Sequence, residues 1–198
     1  MSYITPREVE EMEEKYGVPR EVELTLEITP AEFAMLRGSR KRERSHDITL
    51  FIFRDDSPRE LAAIAKPFFP PGLYRAPSGA AHPGEGLEAG ALREAREETG
   101  LEVALERFIL KVRARFTCGP EFEDWTSYVF TARMTGGTLQ QLDTEEISEV
   151  RWLSLQDLLG EVREKLRETG MPLFQYRLRL HDEAAREIIG TRDGEEEG

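Results

Sequence analysis

The chain has 198 residues, 39% hydrophobic and 33% charged, which excludes a wholly disordered protein and fits one globular domain with additions. With 27 Lys and Arg against 39 Asp and Glu, its net charge is −12, which disfavours general nucleic-acid binding because an acidic surface repels phosphates. The single cysteine, Cys118, excludes an intramolecular disulfide, and no apolar stretch is long enough to cross a membrane, so we expect a cytoplasmic protein.

Residues 1–45 are predicted to be an extension with two short helices and a strand. Each helix begins with a capping pattern of threonine, proline and glutamate. These patterns are Thr5, Pro6 and Glu8, then Thr29, Pro30 and Glu32. Gly17 and Gly38 end the two helices, and alternating apolar residues over 22–28 predict the strand between them.

Residues 46–190 are predicted to form the main domain. The predicted strands are Ile48–Phe53, Leu61–Phe68, Leu73–Ala76, Val103–Phe116, Trp125–Met134, Ile147–Leu153 and the alternating segment Phe174–Leu180. A turn is predicted at Asp55–Pro58, and helices at Leu87–Thr99, 155–168 and Ala184–Ile189. The hairpin-like turns indicate a mixed sheet packed between helices, and the acidic residues 191–198 are predicted to be a disordered tail.

Three glutamates share one face at the end of the predicted helix Leu87–Thr99. Glu94, Glu97 and Glu98 are spaced i, i+3 and i+4, and they precede Gly100, where the negative end of the helix dipole disfavours anions. A cation would relieve this repulsion, and a set of carboxylate oxygens favours Mg²⁺ or Mn²⁺. The spacing alone leaves open the alternative of a solvated helix face covered by salt bridges.

The glutamates belong to a longer pattern of fixed residues. Its members are Gly79, Glu85, Arg93, Glu94, Ala95, Glu97, Glu98, Gly100 and Leu101. This pattern resembles the Nudix box, with Ala95 as a mild departure because the box has an aliphatic residue there. The resemblance extends to the strand Ile48–Phe53 and to the segment Glu149–Leu155, and it leaves out residues 1–45.

The resemblance implies an α+β fold, the Nudix-type α/β/α sandwich, in which a mixed sheet lies between helices. It also implies one to three divalent ions, Mg²⁺ or Mn²⁺, held by the box. The implied metal ligands are Glu94, Glu97, Glu98 and the carbonyl of Ser78. Arg93, which also forms an i,i+4 pair with Glu97, would orient a glutamate, and Glu85 would be an auxiliary group.

The implied reaction is hydrolysis of the phosphoanhydride in a nucleoside diphosphate linked to another group, such as a nucleotide sugar or an ADP-ribose-like molecule. In the family, the general base is often a glutamate in the loop before the last core strand. Glu146 occupies such a loop and ranks first, with Glu94 and Glu98 as alternatives inside the box.

Substrate contacts are predicted from cations and aromatic residues outside the box. The densest basic stretch contains Arg37, Arg40, Lys41, Arg42 and Arg44. Arg44 lies beside the first core strand, and Arg75 lies on the strand that enters the box, so both are candidate phosphate contacts. Trp125 and Phe122, close to the turn at Gly119, are candidates for stacking on a nucleobase.

Two other functions stay open at this point. One is a catalytically silent nucleotide-binding or regulatory module of the same fold, which has no physical need for the complete set of box glutamates. The other is an isomerase of isoprenoid diphosphates, for which Cys118 lacks a suitable neighbour in the sequence. A homodimer through the N-terminal extension or the last helix is compatible with the sequence, although no feature requires it.

Overall fold

The computed structural model describes residues 4–40, 44–54 and 60–195 and contains a seven-stranded mixed sheet. The strands are β1 (Arg20–Glu27), β2 (His46–Phe53), β3 (Glu60–Ala65), β4 (Ser78–Gly79), β5 (Leu101–Cys118), β6 (Glu121–Gly137) and β7 (Glu149–Ser154). The helices are α1 (Pro6–Tyr16), α2 (Pro30–Ser39), α3 (Leu87–Thr99), α4 (Leu155–Asp157), α5 (Arg163–Glu168) and α6 (Pro172–Glu195), with a π-helical turn (Leu158–Val162) between α4 and α5.

The strand order is β1-β5-β6-β2-β3-β7, and β4 pairs with β2. The long strands β5 and β6 form an antiparallel hairpin. β1 lies parallel to β5 at one edge, and β2 lies parallel to β6 in the centre. The N-terminal extension therefore adds a strand to the sheet of the main domain.

Helices cover both faces of the sheet, because alternate residues of each central strand point to opposite sides. In β2, Ile48, Leu50 and Ile52 pack with α1 and α3, whereas Phe51 and Phe53 pack with α2, α5 and α6. The result is the α+β sandwich, with a mixed sheet between helices, that the sequence predicts.

The predicted helices over 6–16 and Leu87–Thr99 are confirmed with these bounds, and the helix predicted to end at Gly38 extends to Ser39. The threonine caps of α1 and α2 form complete capping boxes. Gly100 ends α3 with φ at 73°, a left-handed conformation that glycine adopts at low cost. Local sequence patterns were therefore sufficient to predict these helices.

Two predicted strands near the box are wrong in extent. Residues 73–76 form only an isolated bridge between Ile64 and Arg75, because the neighbouring Pro77 has no N–H with which to continue a ladder. The strand predicted over Leu61–Phe68 ends at Ala65, two residues before Pro67. Residues 73–76 and 66–68 are therefore loop residues, and both loops approach the cleft described below.

The predicted strand Phe174–Leu180 is also wrong, because these residues belong to helix α6. The helix packs against the sheet, α5 and the π-helical turn, so it is buried over much of its circumference and its apolar residues do not show a helical period. α6 continues through residues 191–195, which the sequence placed in a disordered tail, since an established helix is extended at little cost.

Some predicted features lie outside the described residues: the turn at Asp55–Pro58, Lys41 and Arg42 of the basic stretch, and residues 196–198. Within the described residues, no helix is both long enough and apolar enough to cross a membrane.

Candidate active site

A cleft of about 860 Å³ lies next to the box. Its walls come from α2, from the loop after β3, from β4 and the loop that follows it, from α3, from the loop before β7 and from the first turns of α6. Widely separated parts of the chain therefore meet at one concavity, which is the usual form of a ligand site.

The box loop and the end of α3 are joined by two hydrogen bonds from backbone amides to glutamates. The amide of Ser78 donates to Glu98 Oε2 at 2.7 Å, and the amide of Ala80 donates to Glu94 Oε1 at 3.0 Å. Pairing of β4 with β2 fixes this loop against the sheet. The two carboxylates are thus held on either side of Gly79.

Gly79 lies directly against the Glu94 carboxylate. A Cβ atom at this position would lie 1.9 Å from Glu94 Cδ, closer than any real contact allows. No other residue fits without displacing the carboxylate, which is a physical reason for glycine at the first position of the box.

Arg93 connects the remaining box residues. Its guanidinium donates to Glu85 through Nε and Nη2, to Glu94 and Glu97 through Nη1, and to the carbonyl of Ala80. Hydrogen bonds from Arg93 hold the pKa of the Glu85 carboxyl below its usual range, and Glu85 raises the pKa of Arg93. The i,i+4 pair between Arg93 and Glu97 that the sequence suggested is present at 2.7 Å.

Glu98 is the most buried of the three clustered glutamates. Burial raises its pKa to about 7, although Arg75 and Lys66 act in the opposite direction. The guanidinium of Arg75 lies 3.9 Å from Glu98 and also donates to the hydroxyl and the carbonyl of Ser78. Arg75 is itself buried, which lowers its pKa to about 10. A buried carboxylate of this kind would be stabilised by a nearby cation.

The three glutamates supply only oxygen donors, and this donor chemistry fits Mg²⁺ or Mn²⁺. Within the described ranges, however, no three Asp, Glu, His or Cys side chains form a ready metal cluster. Glu94 and Glu97 accept from Arg93, and Glu98 accepts from the amide of Ser78. A metal would therefore compete with these donors for the same oxygens, and the side chains would have to rotate toward it.

The loop before β7 brings Glu146 to the same cleft. Lys66 Nζ donates to Glu146 Oε2 at 2.9 Å, and the amide of Glu146 donates to Asp143 Oδ1 at 3.0 Å. Asp143 also lines the cleft, and its amide donates to the carbonyl of Glu97. Glu146 keeps 65% of its side chain exposed, so it is accessible to a molecule in the cleft.

A buried ion pair reaches the cleft through Arg177, one of its lining residues. Arg177 of α6 donates to Asp47 Oδ2 at 2.5 Å and to Thr49 Oγ1 at 3.2 Å. Ser127 donates to the same Asp47 carboxylate and shares a hydrogen bond with the Tyr176 hydroxyl. Burial disfavours the charge of Asp47, but Arg177 and the hydrogen bond from Ser127 outweigh it, so the pKa of Asp47 is lowered.

The structure brings most of the predicted site residues to this cleft. Those that line it are Arg44, Arg75, Ser78, Arg93, Glu94, Glu97, Glu98, Trp125 and Glu146. The Arg44 guanidinium lies 5.3 Å from the centre of the Trp125 ring. Phe122 is not among the described residues that line the cleft: it lies near the tip of the β5–β6 hairpin, where Arg115 stacks on its ring, so the cleft gives no support to the prediction that it contacts substrate.

Two arginines of the predicted basic stretch point elsewhere. Arg37 pairs with Glu121 and Glu123, and Arg40 also pairs with Glu123. These acids belong to β6, so the two arginines attach the end of α2 to the hairpin. Of the described residues in this stretch, Arg44 is the one that lines the cleft.

The cleft residues that sequence reasoning missed include Met35, Lys66, Asp143 and Arg177. Lys66 follows β3 and lies 80 positions from its partner Glu146, so no local spacing links the two. Arg177 lies in the segment that was predicted to be a strand. Asp143 could have been found from the sequence, because it lies in the same loop as Glu146, the predicted general base.

Comparisons with known proteins agree with this geometry. The NUDIX domain model matches residues 44–175. The NAD-capped RNA hydrolase NudC of Stutzerimonas stutzeri is 31% identical over 114 residues, which is 58% of this chain and 38% of that protein. The protein of the same name in Chromobacterium violaceum is 32% identical over 102 residues, 52% of this chain and 36% of that protein. The chain therefore spans less than half the length of these curated relatives.

Among solved structures, a NUDIX hydrolase from Nitrosomonas europaea matches with a TM-score of 0.51 at 21% identity. The match covers 72% of this chain and 90% of that one. At this level of identity, the likeness supports the fold alone.

Proposed function

Since this chain belongs to the Nudix family, we propose that it hydrolyses the diphosphate linkage of a nucleoside diphosphate joined to a second group, with Mg²⁺ or Mn²⁺ as the cofactor. Water would attack one phosphorus atom, and the bridging P–O bond would break. The products would be a nucleoside monophosphate and a phosphate monoester of the second group.

The observation that carries the proposal is the convergence of Glu94, Glu97 and Glu98 with the backbone of residues 78–80 at one end of the cleft. We assign the three carboxylates and the Ser78 carbonyl as the metal ligands. Divalent ions at such a site polarise phosphoryl oxygens and lower the pKa of a bound water. A module that only bound nucleotide would have no use for buried Glu98, whose charge burial disfavours.

Arg93 would act as a positioning residue for the carboxylates. It is held by two hydrogen bonds to Glu85, and it reaches both Glu94 and Glu97 from this fixed position. Restricting the carboxylates lowers the cost of arranging them around a metal, in the way that hydrogen-bonded neighbours support metal ligands in general.

Cations along the cleft would bind the substrate phosphates. Arg44, Lys66, Arg75 and Arg177 all line the cleft of a chain whose net charge is −12. Concentrating positive charge in one concavity attracts a polyphosphate even when the whole molecule is acidic. The diphosphate would therefore lie between the box and these four side chains.

We propose Glu146 as the general base that takes the proton from the attacking water, with Glu94 and Glu98 as the alternatives. Glu146 is exposed in the cleft, and its hydrogen bond from Lys66 orients the carboxylate. A carboxylate oriented in this way can accept a proton from a water molecule in the cleft. The isomerase alternative loses support, because Cys118 ends β5 and is not among the described residues that line the cleft.

We further propose that residues 46–190 form the catalytic domain and that residues 1–45 are an extension of it. β1 of the extension pairs with β5, and α2 contributes Met35, Leu36 and Ser39 to the cleft. A homodimer remains compatible with this arrangement.

The proposal is tested by a panel of diphosphates assayed with Mg²⁺ and with Mn²⁺. The panel contains ADP-ribose, UDP-glucose, NAD, an alkyl ester of ADP and an NAD-capped RNA, the last because the relatives named above are hydrolases of such RNA. We expect hydrolysis of at least one compound, dependent on the metal, with ¹⁸O from labelled water in one phosphate product. Failure of every compound with both metals would contradict the proposal and favour a silent binding module.

A further inference from the structure

Apolar side chains from three segments line one part of the cleft, which we call the apolar half. Its lining includes Met35 and Leu36 of α2, Phe68 and Phe69 of the loop after β3, and Met171 and Phe174 at the start of α6. The whole cleft, at about 860 Å³, is in the range that encloses a drug-sized ligand, so a diphosphate at the box end would leave this half for another part of the molecule.

Three of these apolar side chains are exposed at the rim. Met35 is 51% exposed, Phe68 is 67% exposed and Met171 is 38% exposed. They come from three separate segments, and all of them line the same cleft. Exposed apolar side chains that cluster in this way usually mark a binding surface. Methionine side chains are also adaptable, which suits the binding of a flexible apolar partner.

A row of phenyl rings leads from this rim into the core. Phe68 and Phe69 meet edge to face with ring centres 5.1 Å apart, and Phe69 meets Phe174 in the same way at 5.2 Å. Such pairs hold the rings in defined positions. The row therefore gives the apolar half a firm wall, with the exposed face of Phe68 available to a ligand.

The polar groups that line this half are bonded to the protein itself. The hydroxyl of Ser39 donates to the carbonyl of Leu36 at 2.7 Å, and the Tyr176 hydroxyl bonds to Ser127 at 2.7 Å. The 198-residue sequence contains no asparagine, and the described lining contains no glutamine. A sugar here would bury hydroxyls beside few groups that can bind them, which is unfavourable.

We propose that the group joined to the diphosphate at this end is apolar, an aliphatic chain or an aromatic ring rather than a sugar. This inference rests on the proposed function, which places the diphosphate at the box. α2, which supplies Met35 and Leu36, precedes the residues matched by the family model, so the N-terminal extension would contribute part of this selectivity.

The inference is tested with ADP esters that share one half and differ in the other: ADP-glucose, the octyl ester of ADP and the benzyl ester of ADP. We expect kcat/KM for the octyl or the benzyl ester to exceed that for ADP-glucose at least tenfold, and the better of the two identifies the kind of apolar group. Met35→Ser and Phe68→Ser should each reduce this preference at least threefold. Val18→Ser, at an exposed apolar residue away from the cleft, should leave the preference unchanged.

Equal kcat/KM for all esters, or faster cleavage of ADP-glucose, would overturn the inference. If Met35→Ser and Phe68→Ser lowered kcat/KM equally for every ester, the inference would also be overturned. The apolar half would then hold the adenine, which all the esters share. If no ester is cleaved, the proposed function is wrong. The inference about the apolar half is then tested by measuring ligand binding instead of hydrolysis. Calorimetry in EDTA should then show at least tenfold tighter binding of octyl phosphate than of glucose 1-phosphate, and equal affinities would overturn the inference.

Discussion

Arg93 holds Glu85 through two parallel hydrogen bonds, from Nε to Oε1 at 2.7 Å and from Nη2 to Oε2 at 2.9 Å. This two-point contact fixes the plane of the guanidinium, and Nη1 then points at Glu94 and Glu97. The arrangement requires the forked shape of arginine, because a lysine offers a single ammonium group. The position of two candidate metal ligands thus depends on a residue that need not touch the metal.

Arg93→Lys should therefore lower kcat/KM about 10- to 100-fold, the usual cost of losing a residue that orients metal ligands. The Mg²⁺ concentration needed for half-maximal activity should rise as well. Arg96→Lys, at an exposed arginine on the same helix, is the matched control and should behave as wild type. Equal activity of the two variants would contradict the positioning role.

Glu98→Gln should lower kcat about 100-fold or more while the fold stays intact. The variant keeps the size of the side chain and an oxygen that can accept from the Ser78 amide, but it removes the negative charge. Because burial already disfavours that charge, the free energy of unfolding measured with urea should be unchanged or increased.

The control for Glu98→Gln is Glu102→Gln, on the exposed side of β5. Near-normal turnover of Glu98→Gln with Mg²⁺ would remove Glu98 from the metal site. Loss of turnover together with loss of the folded state would indicate a structural role instead.

Glu146→Gln should lower kcat about 100-fold and change KM much less, because the base acts in the chemical step. Its pH profile should also lose the acidic limb that a carboxylate base produces. Glu145→Gln is the matched control, since Glu145 is the exposed neighbour and is not among the described residues that line the cleft. An unchanged kcat in Glu146→Gln would return the base role to Glu94 or Glu98.

His181 gives the protein a pH-dependent stability. It is buried against Phe51, and burial, with Arg177 and Arg75 nearby, lowers its pKa to about 3 from the ordinary 6.5. Below pH 6.5 the unfolded chain therefore binds a proton at this residue that the folded chain does not bind, so stability falls as the pH falls. His181→Gln removes this difference in proton binding.

Between pH 7 and pH 5, the stability of wild type relative to His181→Gln should fall by about 2 kcal/mol. Urea denaturation of both proteins at pH 7, 6 and 5 measures this difference, and titrations that both proteins share cancel. Stability curves that stay parallel over this range would show that His181 accepts a proton in the folded state.

Helix α3 and its glutamates were predictable because their signals are local. Gly100 marks the end of the helix, and the i, i+3 and i+4 spacing places Glu94, Glu97 and Glu98 on one face whatever the rest of the chain does. The resemblance to a known box then supplied chemistry that the spacing alone left open. The family and the fold class followed from these residues.

The other walls of the cleft were not predictable in the same way. In Phe174–Leu180, apolar residues alternate with Gln175, Arg177 and Arg179, which is the pattern of a strand. The segment is a helix because the sheet and α5 cover most of its surface, and Arg177 is buried only because Asp47 lies opposite. Such pairings depend on the tertiary arrangement, which a local pattern does not contain.

Phe122 shows how the length of a strand affects a predicted site. Its position next to a turn suggested a ligand contact, but strands β5 and β6 are longer than predicted and carry the hairpin tip, with Phe122, to a place outside the cleft lining. Trp125, three residues further along the same strand, does line the cleft. The length of the two strands therefore determines which of the two aromatic residues lines the cleft.

The parallel pairing of β1 with β5 has a consequence for any attempt to work with a smaller protein. Cutting the chain back to the span matched by the family model would strip Leu110–Thr117 of its neighbour and leave a row of unsatisfied amides and carbonyls at the sheet edge. Bare edges recruit strands from other molecules, so the shortened protein should aggregate. We therefore expect the N-terminal extension to keep the protein from aggregating, while its helix α2 lines part of the cleft.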